Sequence, residues 1–325
     1  MDRRRFIILF LGLELLALEA IQPRHAYGAW IWTPQTRRWV NPKYAAKDTP
    51  SAQMEWAVGF FESKDYPRAV REFRRLVQAF PRSELAPEAQ YLAGVSYELM
   101  DQASEALAAY KKLVEIYPFS ARFKDAIERE FALAEALFSG KRLKLIGPVK
   151  VPALDKAIEI YQHVVDQAPY GEYGALAQFR LGECTIRQER FEEANRAFQR
   201  VVDEYPTSPL LEEAKFNVAF CAHKLSRKPS YDQSATEEAI NWFEEFINSH
   251  PNSPLLPEAE RSLSQLRGFK AQALLQAADF YKVQRKPESA AIYYRQVLHD
   301  FPDSAEAVQA LAKLSELEKS GAIKR

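Results

Sequence analysis

The 325-residue chain balances 44 Lys and Arg against 44 Asp and Glu, which leaves no overall field to attract nucleic acid. Removing residues 1–28 takes away four Arg and three acids and hardly changes that balance. Two cysteines are too few for a zinc site, and the composition agrees with an exported soluble protein. The first element is a charged start, Arg3-Arg4-Arg5, followed by an apolar run from Phe6 to about Leu18. With Ala26 and Gly28 suitably small for a cleavage site after Gly28, residues 1–28 read as a secretory signal peptide. A retained membrane anchor is the rival, although Glu14 and Glu19 interrupt a stretch already short for a span of about 20 apolar residues. The positions after the apolar run hold Pro23, Ala26 and Ala29 where a lipid-attachment box needs a cysteine, so conventional diacylation is not expected.

Residues 29–50 form a Trp-rich segment. A hairpin turning near Pro34–Thr36 would set Trp30, Trp32 and Trp39 for packing on the first helix pair, as an N-terminal cap or an aromatic contact patch.

From residue 51 to 319 one pattern returns six times. An alanine is followed four places on by Phe or Tyr, eight on by Val, Ile or Leu, and twelve on by Pro. The copies begin at Ala69, Ala106, Ala157, Ala194, Ala239 and Ala290. Offsets of 0, 4 and 8 align the small, aromatic and aliphatic residues along one side of a helix, which proline then stops. Two places after proline stands Ser in five copies (Ser83, Ser120, Ser208, Ser253, Ser304), where it can accept from the free amides of the next helix. A preceding pattern (Ala89 to Gly94, Ala177 to Gly182, Ala214 to Ala219) marks a partner helix whose last small residue permits close approach.

Each unit is therefore helix A, a turn, helix B and a proline stop. These positions resemble the tetratricopeptide repeat (TPR), which implies an all-α, right-handed TPR-type superhelical solenoid of about six helix pairs. Helix-B repeats are expected near 69–80, 106–117, 157–168, 194–205, 239–250 and 290–301, with a short tail at 320–325. Stacking of this kind carries one solenoid past the size limit of a single core.

The alanine spacings of 37, 51, 37, 45 and 51 exceed the 34-residue family period, so insertions are needed. One is the basic loop 139–152, with Lys141, Arg142, Lys144 and Lys150, read as a solvated excursion or a docking finger for an acidic partner or lipid headgroups. Another runs from Ser226 to Ala235. A third excess, Pro257 to Arg285, reads as one helix of about 28 residues, about 42 Å long, or two helices broken near Gly268.

No phosphate loop, HExxH, GxSxG or His-Cys pair occurs, so no catalytic, cofactor or metal residue is assigned and the chain is expected not to be an enzyme. His25 lies in the signal, and His250 and His299 sit near helix-B ends, where a cation suits the dipole. Cys184 and Cys221 occupy the same helix-A position in successive units, beyond disulfide reach, and read as small core residues. What a solenoid offers is a groove lined by helix-A side chains. The candidates here are Met54, Val58, Phe61, Tyr91, Val95, Leu99, Phe179 and Ile186, suited to an extended peptide or a partner's helix unless they pack on neighbouring A helices.

From about Ser51 to Leu317 the chain resembles the BamD family. The resemblance rests on Phe60 to Ala69 leading into Phe80-Pro81-Arg82-Ser83, on the loop inside the third unit, and on the long penultimate helix entering Ala277 to Tyr281 before Ala290, Pro302 and Ser304. It implies a scaffold that touches unfolded β-barrel proteins through its amino-terminal groove and a barrel insertase and other subunits through later repeats. Its place would be the periplasm, peripheral to the inner face of the outer membrane. A periplasmic TPR adaptor of the Tol-Pal or cell-division type is the alternative.

Overall fold

The computed structural model describes residues 31–33, 38–40, 45–140, 153–226 and 234–323. The predicted signal peptide, Trp30, the turn at Pro34–Thr36, the basic loop from residue 141 and most of the second insertion lie outside the described residues. Contacts divide the chain into a first compact unit ending at Ser96 and a second beginning at Tyr97.

The hairpin is present. Strands β1 (Ile31–Thr33) and β2 (Arg38–Val40) pair antiparallel with Trp32 opposite Trp39. The two indoles meet edge to face at 6.0 Å and both stay exposed.

In the first unit, α1 (Pro50–Glu62) packs on α2 (Tyr66–Ala79). Thr49 caps α1 by accepting from the Ala52 amide, and Asp65 caps α2 by accepting from the Arg68 amide. Ala57, Ala69, Phe73 and Leu76 are buried. Buried Gln53 donates its side-chain amide to the Glu72 carbonyl (3.0 Å) and the Glu72 carboxylate (2.9 Å), tying helix A to helix B. Helix α3 (Leu85–Leu99) carries the division between the units near its end.

The second unit continues with α4 (Ala103–Ile116), α5 (Phe123–Phe138), α6 (Ala153–Gln167), α7 (Gly174–Arg187) and α8 (Phe191–Glu204). There follow α9 (Leu211–Ser226), α10 (Ser234–Ser249), α11 (Leu256–Val283), α12 (Pro287–Asp300) and α13 (Ala305–Lys319). Within this unit each helix packs on the next in chain order. The fold is all-α and of the TPR solenoid type: the described residues hold six helix pairs and a terminal helix, with the hairpin before them in sequence. The long helix is unbroken at 28 residues.

The repeat pattern has a direct physical meaning. All six helix-B alanines and all six aromatics four places on (Phe73, Tyr110, Tyr161, Phe198, Phe243, Tyr294) are fully buried. The aliphatic eight places on is only partly buried in the last three copies (Val202, Ile247, Leu298), while the residue seven places on is buried in every copy. The core stripe therefore runs 0, 4, 7, as 3.6 residues per turn requires. The serines after the stop prolines are used less evenly than expected. Ser83 and Ser304 accept amides in the first turn of the following helix (Leu85, Ala307), Ser208 and Ser253 accept from Leu210 and Leu255 just before it, and the Ser120 hydroxyl is buried without a partner.

Five residues before the helix-B alanine, four A-to-B turns place a non-glycine residue in the left-handed region: Lys64, Asp101, Glu189 and Arg285, with φ from 57° to 62°. Such a residue lets helix A end and helix B begin at once, at a steric cost that glycine does not incur. Glu189→Gly is therefore expected to raise stability by about 1 kcal/mol, read as a higher thermal midpoint; a lower midpoint would contradict it.

Candidate partner-binding surface

A recess in the first unit lies on the exposed face of α1. Ala52, Glu55, Trp56, Gly59, Phe60 and Ser63 follow one another at helical spacing, and with Lys47 they enclose about 570 Å³. Trp56 and Phe60 meet edge to face at 5.0 Å, and Trp56 is 48% exposed. Lys47 Nζ sits 4.4 Å from the centre of the Trp56 ring, and the Arg68 guanidinium lies 5.7 Å from that of Phe60. The Lys47 backbone is held in place by its own amide, which donates to Gln53 Oε1 at 2.9 Å. The recess thus joins the aromatic faces of α1 to Lys47, just before that helix, while Arg68 of α2, paired with Asp65 at 3.1 Å, supports Phe60 from beside it. It suits an apolar or aromatic segment carrying a carboxylate or backbone carbonyls.

This is not the surface the sequence pointed to. Met54, Val58 and Phe61 are half-buried on the opposite flank of α1, about 100° or more round the helix from the recess. Phe61 is engaged with Tyr66 at 5.8 Å and Phe73 at 6.3 Å. Tyr91 and Val95 are half-buried on α3, and Leu99 at its end is 53% exposed. Phe179 requires correction. It is 2% exposed and packs edge to face on Phe198 at 5.1 Å, so its ring is core and lines no groove. Ile186 packs against that same cluster. None of the eight lines the α1 recess. Of the missed residues, Trp56 and Phe60 carried one usable signal, a stripe of Trp56, Gly59, Phe60 and Ser63 on the face away from buried Gln53 and Ala57; Lys47, before the helix, carried none.

In the second unit a polar network ties α5, α6 and α7 together. Glu135 accepts from the Tyr161 hydroxyl and from Arg180, whose guanidinium also reaches Glu183. Burial first, then the bond to Glu135, push the Tyr161 phenol up. Cys184 and Cys221 are free thiols in the core, pushed up to about 12 by burial, and so poor nucleophiles at neutral pH. No cluster of three or more His, Cys, Asp or Glu able to hold a metal ion occurs among the described residues. No helix among them is long and apolar enough to cross a membrane.

The YfiO family model, described as outer membrane lipoprotein, matches residues 149–324, more than half of the chain. The chain belongs to the YfiO family. A tetratricopeptide repeat model matches residues 54–121, ahead of the YfiO match. The long helix α11 and the terminal pair α12 and α13 all fall in the YfiO portion, which agrees with the BamD-like resemblance of that half. No curated protein matches the sequence. Among solved structures, YrrB, described as a TPR protein with an unusual peptide-binding site, is 18% identical over 68% of this chain and 94% of its own, with a TM-score of 0.33. The pilF protein of Pseudomonas aeruginosa is 14% identical over 81% of this chain and 97% of its own, with a TM-score of 0.30. This YfiO-family chain is thus a tetratricopeptide protein of the cell envelope.

Proposed function

We propose that this protein is a non-catalytic interaction scaffold of the bacterial envelope, peripheral to the inner face of the outer membrane. In this reading it takes part in the folding and insertion of β-barrel proteins, as the BamD-like family implies. The α1 recess receives an extended segment of an unfolded barrel protein, and later repeats meet the insertase. The observation that carries the reading is the pairing of half-exposed Trp56 with Lys47, just before α1, and of half-buried Phe60 with Arg68 of the neighbouring α2. An amphipathic β-strand segment offers alternate apolar side chains to the rings and carbonyl oxygens to the cations.

Titration of the full chain with a synthetic strand from an outer-membrane barrel tests it. Trp56→Ser removes the largest apolar surface of the recess, and buried aromatic anchors are worth about 2 kcal/mol or more at interfaces. The expected result is an affinity roughly 30-fold lower with an unchanged thermal midpoint. Equal affinity in the variant would remove the recess from the account.

A further inference from the structure

The residue directly after each stop proline is polar in four units: Arg82, Thr207, Asn252 and Asp303. In the other two it is aromatic and projects into solvent. Phe119 is fully exposed and Tyr170 is 92% exposed. Both belong to the second unit, in the B-to-A turns joining α4 to α5 and α6 to α7. Helices joined by such short turns pack antiparallel, so the B-to-A turns from α4 to α5, α6 to α7 and α8 to α9 lie at one edge and the short A-to-B turn at Glu189 at the other. The B-to-A edge also holds exposed Ile116 and half-buried Tyr117 and Tyr173, the last stacked on Phe131 at 4.9 Å.

Single rings that stand clear of convex turns, backed by tyrosines with one apolar and one polar end, match the chemistry of a bilayer interface. Exposed charges of both signs, Lys124 and Glu172, flank the two turns, so the attraction is apolar rather than Coulombic. The family's description places such proteins at a membrane as lipoproteins, yet both cysteines of this chain are in the core and offer no thiol for an acyl chain. We propose that this edge is a membrane-contacting surface, with Phe119 and Tyr170 entering the interfacial layer of a lipid bilayer. The proposal rests on the envelope reading above but not on the α1 recess.

Spin labels on the full chain test it. The native thiols are buried and pushed up to about 12, so a label attaches to an introduced cysteine. Ala121→Cys marks the aromatic edge, and Glu189→Cys marks the opposite edge. With phosphatidylcholine vesicles, the label at 121 is expected to gain oxygen collisions and lose collisions with a water-soluble nickel chelate, while the label at 189 stays aqueous. The double variant Phe119→Ser, Tyr170→Ser should lower vesicle partition by at least about tenfold, since each buried ring is worth on the order of tenfold. Its thermal midpoint should not change, because neither ring packs in the core. Three results overturn the proposal: a label at 121 that stays aqueous, a double variant that partitions like the parent, or binding that requires phosphatidylglycerol and vanishes in high salt. The last would assign contact to the basic segment 141–150. In each case strand binding and its loss in Trp56→Ser stand or fall separately.

Discussion

His163→Ala is expected to lower stability by about 3–5 kcal/mol at pH 8 and by markedly less at pH 5. His163 on α6 places Nδ1 2.7 Å from Oε2 of Glu130 on α5, whose side chain is wholly buried. The second carboxylate oxygen, Oε1, has no partner. Burial pushes the Glu130 carboxyl above its ordinary value near 4.5, against the opposing pull of His163 and Lys111; Glu115 adds a small push in the same direction as burial. A carboxyl raised in the folded state contributes stability that is fully present below its unfolded value and is lost as pH rises through the folded one. Removing the histidine takes away the group that favours the ionised form and raises the carboxyl further. The loss therefore grows with pH over the range above about 4.5. Glu130→Gln keeps a hydrogen-bonding group beside His163 and has no charge to desolvate, so it should flatten this pH dependence at little cost. Chemical denaturation at both pH values is the measurement. Equal losses for His163→Ala at pH 5 and 8 would show that the pair is not what holds this carboxylate.

A methyl group at Gly182 has the opposite origin, steric rather than electrostatic. A Cβ built on Gly182 falls 2.5 to 2.7 Å from three ring atoms of Phe198. That ring is fully buried and held edge to face by Phe179, so it cannot swing aside. Gly182→Ala is expected to cost about 1–3 kcal/mol, as overpacking of a filled core does. Gly268, in the middle of α11, is the control. A Cβ there meets nothing within 4 Å, so Gly268→Ala should instead add about 0.5–1 kcal/mol by restricting the unfolded chain and favouring helix. Calorimetric unfolding of the pair checks both signs. A neutral Gly182→Ala would mean that Phe198 has room that the packing does not suggest.

These positions also explain what the sequence could and could not reveal. Proline stops, alanine contacts and aromatic knobs are local features, because each is fixed by helix geometry and by the small space between paired helices. The six helix pairs were therefore readable, as was the 28-residue helix, whose only glycine has open space beside it. The binding surface was less legible because amphipathic spacing says which residues are apolar, not which side a neighbour covers. Phe179 and Trp56 are both large aromatics on A helices, yet one ring is sealed under Phe198 and the other stands half open on α1. The cation above Trp56 comes from Lys47, before the helix begins, where no periodic pattern reaches.

The most direct test of the scaffold reading is photocrosslinking in the living envelope from Gly59. This position lines the α1 recess and has no atom within 4 Å of a Cβ built there, so a benzophenone amino acid fits without disturbing the fold. The account predicts adducts with unfolded outer-membrane β-barrel proteins, reduced in a Trp56→Ser background. Adducts confined to soluble periplasmic proteins, unchanged by Trp56→Ser, would contradict it.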